Sequence, residues 1–174
     1  MKLDSIANSN NDEFYTPRYA IEPIIKYLNV SKYKKIWCPF DTDESLFVHV
    51  LRENSFEVTN THILTGQDFF TTNIVDCDCI ISNPPYSMKG KVFERLFDLN
   101  KPFAMLVGVV GLFESQYRFN LFKNNQFEIM YFNKRIAYFK NYTEQTPSLN
   151  PPFSSVYITR DLLPTSICFE TLKK

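Results

Sequence analysis

The sequence predicts an α/β fold, a mostly parallel sheet with helices on both faces that closes with an antiparallel C-terminal hairpin. Two patterns carry that prediction. Strand-length apolar runs alternate with helix-patterned runs as far as residue 123, and three strand-like runs then follow with no helix between them. A third observation is the turn Asn83-Pro84-Pro85-Tyr86, which follows the strand-like CDCIIS (77–82). Prolines lack an N–H and fix φ, so this turn is rigid. It stands at the sheet edge where open α/β folds bind ligands.

The elements follow in order. Residues 1–12 are polar and rich in Asn and Ser, and residues 13–174 are expected to form a single domain. In FYTPRYAIEPIIKYL (14–28), Thr16 is placed to cap a turn beginning at Pro17. Glu22-Pro23 is placed to restart a helix with Ile24, Ile25 and Leu28 on its apolar face. KKIWC (34–38) is strand-like, and ESLFVHVLREN (44–54) is helical with Leu46, Phe47, Val50 and Leu51 inward. FEVTNTHI (56–63) is a second strand and CDCIIS a third, whose alternation puts Cys77 and Cys79 on one face. KVFERLFDL (91–99) is an amphipathic helix, PFAMLVGVV (102–110) a buried strand and SQYRFNLFK (115–123) a further helix. FEIMYF (127–132), RIAYFK (135–140) and SSVYITR (154–160) are the closing strand-like runs.

Composition narrows the function classes. A chain of 174 residues, 44% hydrophobic and 16% aromatic, can bury a sizeable core and does not match a disordered segment. No apolar run approaches a membrane span and the N-terminus has no apolar h-region, so the expected setting is cytoplasmic with no membrane partner. Four cysteines without a CxxC pair and two scattered histidines offer no ligand spacing, and no metal is expected. The net charge is zero, but it is unevenly spread. Residues 1–86 carry 7 Lys/Arg against 12 Asp/Glu, a net of −5, and residues 87–174 carry 12 against 7, a net of +5. That split is either chance over a solvated surface or a basic face suited to phosphates.

The turn has a chemistry of its own. The Asn83 side-chain carbonyl and the Pro84 carbonyl are two acceptors, and an exocyclic NH2 group donates two hydrogen bonds. Holding an amine by its protons leaves the nitrogen lone pair to face an electrophile. The Tyr86 ring offers a stacking surface. The combination matches the needs of alkylating the amine of a base flipped out of its duplex. The plainer alternative is a rigid loop in which Asn83 caps a turn.

With those residues in view, the chain resembles the S-adenosylmethionine-dependent amino-methyltransferases that methylate adenine at N6 in DNA, and among them the short phage-type enzymes. DEFYTPRYAIEPIIKYL (12–28) is similar to the family's N-terminal cofactor motif, and IWCPFDTDES (36–45) stands where its first-strand motif belongs. GQDFF (66–70) resembles the cofactor-adenine segment, DCDCIISNPPYS (76–87) the catalytic motif, and PPFSSVYI (151–158) the late strand that shapes the base pocket. The resemblance implies a Rossmann-like methyltransferase fold with S-adenosylmethionine as cofactor and DNA as partner.

The implied catalytic group is Asn83, Pro84, Pro85 and Tyr86. Asn83 and the Pro84 carbonyl would hold the amine while Tyr86 stacks on the base. The cofactor would lie against Tyr15, Thr16 and Pro17, against Pro39, Phe40 and Asp41, and against Asp68, which takes its adenine amine beside Phe69. For each of these there is a structural alternative: core aromatics at Tyr15 and Phe69, a turn cap at Asp68, an acidic helix start at Asp41.

No separate target-recognition domain is visible. Contact with DNA therefore falls to the loops SMKGK (87–91) and KNYTEQTPSLNPP (140–152), with Lys89, Lys91, Lys134, Arg135 and Lys140 on phosphates. A homodimer sharing recognition is compatible with this. Two other functions stay open: transfer to RNA or to a protein glutamine, and a methyltransferase-like protein without turnover that binds a protein partner, for example against a host defence. CPFDTDES has no glycine, and His62 stands where the family carries an acidic ribose ligand.

Overall fold

The computed structural model describes residues 14–147 and 151–174. The polar segment 1–12 and positions 148–150 of the late loop lie outside them. The elements are α1 (Arg18–Ile25), β1 (Lys35–Cys38), α2 (Leu46–Glu53), β2 (Glu57–Asn60), β3 (Cys79–Ser82), α3 (Lys89–Leu99), β4 (Phe103–Gly108), α4 (Gln116–Lys123), β5 (Glu128–Phe132), β6 (Ser155–Arg160) and β7 (Ile167–Glu170). Seven strands form one sheet in the order β2-β1-β3-β4-β6-β5-β7. Only β6 runs against its neighbours: β1 to β4 are mutually parallel, and β7 is parallel to β5.

Alternation along the strands sorts the apolar side chains into two cores. Ile36, Cys38, Cys79, Ile81, Ala104, Leu106 and Tyr157 face α1 and α2, whose Ile21, Ile24, Phe47 and Leu51 cover them. Trp37, Ile80, Phe103, Met105, Val107, Val156 and Ile158 face Val92, Phe93 and Leu96 of α3 and Phe122 of α4. Strands buried on both faces are the mark of a parallel sheet under two helical layers, and β3 and β4 are buried at every position. Serine caps start two helices: Ser45 Oγ accepts from Phe47 N at 3.2 Å and Ser115 Oγ from Arg118 N at 3.1 Å.

The fold class holds, and several details differ from the sequence expectation. β5 and β6 form the expected antiparallel pair, but residues 133–154 separate them, and β6 inserts between β4 and β5. RIAYFK forms no strand. Its Phe139 makes isolated bridges to Tyr15 and Pro147 instead. β7, which the sequence reading did not assign, extends the sheet beyond β5. Helix α1 runs unbroken through Pro23 with Pro17 at its N-cap and no side-chain cap. Thr16 does not cap it because its hydroxyl is engaged by Asn83. Cys77 and Cys79 lie in opposite cores, since the strand begins at Cys79 and Cys77 belongs to the turn before it. Among the described residues all four cysteines are free and buried, no cluster of three or more His, Cys, Asp or Glu could hold a metal, and no helix is long and apolar enough to cross a membrane.

Candidate active site

The strand order reverses between β1 and β3, which places the topological switch point of the sheet there. A cavity of about 300 Å³ opens at the carboxyl ends of β2, β1 and β3. It is of the size class that holds small-molecule ligands. Of the residues expected to bind a cofactor, Tyr15, Pro39, Phe40, Asp41, Asp68 and Phe69 line it, and Asn83 and Pro85 of the Asn-Pro-Pro-Tyr turn join them. Thr16, Pro17 and Pro84 are buried and do not line it. Tyr86 does not line it, but Phe14, whose ring stacks on Tyr86, does, so an aromatic cluster adjoins the cavity there.

The Asn83 amide is held in one orientation. Its Nδ2 donates to the Phe14 carbonyl at 2.8 Å and to Thr16 Oγ1 at 3.1 Å. A carbonyl can only accept, so the nitrogen must face Phe14. Asn83 Oδ1 is then buried with no hydrogen-bond partner. An orphaned buried acceptor is costly, on the order of 1–3 kcal/mol, and points to a donor supplied from outside the chain.

Asp41 joins the loop after β1 to the end of β3. Ser45 Oγ donates to its Oδ1 and Ser82 Oγ to its Oδ2, each at 2.5 Å. Asn60 Nδ2 donates to the Asp41 carbonyl at 3.2 Å. Burial lifts the Asp41 carboxyl to about 6, against the pull of the two serine hydroxyls. A buried carboxylate at a cavity wall is a suitable neighbour for a cationic ligand group.

Two supports of this cavity carry no sequence signal of their own. Tyr142, from the loop after β5, packs edge-on against Tyr15 at 4.8 Å and reaches Ser45 Oγ at 3.3 Å. Arg95 of α3 donates to the carbonyls of Phe70 (2.8 Å) and Thr72 (2.7 Å) and lies 5.2 Å from the Phe69 ring. It thereby pins the segment that carries Asp68 and Phe69. Asp68 Oδ1 accepts from Phe70 N at 3.0 Å, the turn-capping role foreseen as its alternative. His62 Nδ1 accepts from Leu64 N at 3.0 Å and His62 also lines the cavity.

The aromatic cluster around Tyr86 is closed. Phe14 stacks on Tyr86 with centroids 4.8 Å apart and planes 27° apart, and Phe153 meets Tyr86 edge-on at 5.5 Å. The Tyr86 hydroxyl is 2.9 Å from that of Tyr138, which is 2.8 Å from Ser155 Oγ. Burial raises both phenols, Tyr138 to about 12, so both are neutral near pH 7. Gly108 admits this packing, for a Cβ there would stand 3.0 Å from the Phe153 ring and 3.3 Å from Tyr86. Of the cations expected on DNA, Lys89 donates to the carbonyls of Gly108 (3.3 Å) and Val110 (2.7 Å) and lies 5.6 Å from the Tyr86 centroid. Lys91, Lys134, Arg135 and Lys140 are exposed.

No protein-family model matches the sequence, and no curated protein matches it. A likeness exists at the level of fold. A solved structure from Vibrio vulnificus YJ016, a modification subunit assigned to a type I restriction enzyme, superimposes with a TM-score of 0.51 at 13% sequence identity. The match takes in 97% of this chain and 49% of that subunit, so the chain spans about half its length. What the two share is the fold, a mostly parallel sheet between helical layers.

Proposed function

We propose that this chain is an S-adenosylmethionine-dependent methyltransferase acting on the exocyclic N6 amine of adenine in DNA. The observation that carries the proposal is Asn83 Oδ1, a buried acceptor without a partner, fixed at a cavity wall by two hydrogen bonds on its nitrogen. The cofactor would occupy the cavity among Tyr15, Pro39, Phe40, Asp41, Asp68 and Phe69, where it would supply an electrophilic methyl group. The residues suit it: Asp41 offers negative charge to a cationic methionine end, and Phe69 and Phe40 offer apolar surface to a purine.

The protein's own contribution is positional. Asn83 Oδ1 would accept one hydrogen bond from the target amine and the Pro84 carbonyl a second, which would leave the nitrogen lone pair facing the cavity. The bound cofactor would supply the methyl group there, and the proton the amine sheds on methylation would pass to solvent. Tyr86 presents a neutral ring for the base to stack on, once its contact with Phe14 parts. The fold likeness to a restriction-modification subunit supports a methyltransferase of this general kind.

The test is transfer of tritiated methyl from S-adenosylmethionine to unmethylated DNA, by the wild-type protein and by Asn83→Ala. The wild type should label N6-methyladenine. The variant should lose about 10²–10³-fold in rate, the scale of removing one reaction-centre hydrogen bond, and still bind the cofactor. Wild-type-like transfer by Asn83→Ala would contradict the proposal, and label in RNA or protein instead of DNA would move the substrate.

A further inference from the structure

α3 and α4 are adjacent helices with opposite habits. α3 buries Val92, Phe93, Leu96 and Phe97. α4, though as rich in aromatics, fully buries only Phe122. It leaves Tyr117 47% and Phe119 52% exposed. Val110, just beyond β4, is 39% exposed. Isolated exposed apolar residues are ordinary, but Val110 and Tyr117 share one rim with the Asn83–Tyr86 turn, whereas Phe119, two positions on from Tyr117, lies on the opposite flank of α4.

The contacts trace that rim. Lys89 reaches from the Tyr86 ring to the carbonyl of Val110. One residue on, a Cβ at Gly90 would stand 2.9 Å from the edge of the Tyr117 ring, so the glycine lets that ring lie over the start of α3. Burial, helped by a hydrogen bond to Glu94, lifts the Tyr117 phenol to about 12, so the ring is neutral as well as anchored. Arg118 lies beside the Gly111 turn, with Nη2 3.9 Å from where a Cβ there would be, and its Nε is buried without a partner. Between residues 87 and 124 the chain carries six Lys/Arg against three Asp/Glu.

Exposed aromatic faces interleaved with cations are the recipe for holding unstacked bases along a phosphate backbone. Resting on the function proposed above, we infer that Val110 and Tyr117, with Lys91 and Arg118, form a DNA-contact surface that engages the nucleotides flanking the target base. It supplies grip on the strand beside the target base. Its occupant is DNA with bases unstacked next to the flipped adenine. The apolar residues stack on those bases and the cations meet the adjoining phosphates.

The experiment compares wild type with Tyr117→Ala. It measures fluorescence anisotropy on a labelled adenine-containing DNA oligonucleotide, KM for the same DNA in methyl transfer, and calorimetric affinity for S-adenosylmethionine. The variant should bind DNA about 5–50-fold more weakly and raise the DNA KM in step, with cofactor affinity unchanged. Tyr117→Trp, which keeps a ring in place, should retain wild-type binding. Phe119→Ala, which removes an exposed ring from the opposite flank of α4, should change nothing. DNA affinity unchanged in Tyr117→Ala would overturn the inference, as would an equal loss in Phe119→Ala. The two proposals fail separately. A wild type that binds DNA through Tyr117 but transfers no methyl refutes the enzyme and keeps the surface, and active transfer indifferent to that ring does the reverse.

Discussion

The cofactor cavity and the Tyr86 cluster meet at the same four-residue turn and are built by opposite means. On the cavity side, polar groups hold the walls apart: Asp41 is tied to Ser45 and Ser82, Asp68 to its own turn, and Arg95 to the carbonyls of Phe70 and Thr72. The result is an open space with an unpaired acceptor at its edge. On the other side aromatic rings have collapsed on one another, and Phe14 covers the face of Tyr86. Directional hydrogen bonds can keep a site open in advance, whereas apolar faces left in water close until something replaces the contact. Under the function proposed above, the difference would set an order of events: cofactor first, into a ready site, and the base second, into a slot that must part.

The sharpest way to probe the closed side is Tyr86→Ala. Base–ring stacking contributes about 1–3 kcal/mol, so the KM for DNA should rise by roughly 5–150-fold while cofactor affinity stays unchanged. A matching loss of cofactor affinity would show that the two regions are not separable. On the open side the test is pH. Asp41 sits at about 6, above its unfolded value, so its contribution to stability is full below about pH 4 and is lost as pH rises through about 6. A cationic ligand prefers the ionised form, so S-adenosylmethionine affinity should fall as pH drops below about 6, by up to about tenfold per pH unit. Asp41→Asn should flatten both profiles, which pH-dependent calorimetry and thermal melts would read. The smallest effect is expected for Phe14→Ala. Removing a self-stack of about 0.5–1.5 kcal/mol should lower the KM for DNA by a few-fold. A rise would show instead that Phe14 stays in the complex as a second wall of the slot.

The parts of this site that were legible in the sequence are those written in contiguous residues. Asn83-Pro84-Pro85-Tyr86 lies at the end of β3 because a strand must stop at two prolines, and Pro39 to Asp41 end β1 in the same way. What local pattern could not supply depends on residues far apart in the chain. Ser82 donates to Asp41 across 41 positions, and Phe14 covers Tyr86 from the far end of the described chain. Tyr142 reads as one more polar-loop tyrosine until the loop folds over Tyr15. The insertion of β6 between β4 and β5 is likewise non-local, since neither strand's composition says which neighbour it will take. β7 escaped notice because ICFE is short and its Phe169 is 79% exposed, so it lacks the clear alternation of a half-buried strand.

Calorimetric titration of the protein with S-adenosylmethionine in the absence of DNA tests the central claim most directly. A cavity held open by Asp41, Arg95 and Tyr142 should bind one cofactor per chain with micromolar affinity, and Tyr86→Ala should bind it equally well. No heat of binding without DNA, or binding that appears only once DNA is added, would contradict both the cofactor assignment and the order of events.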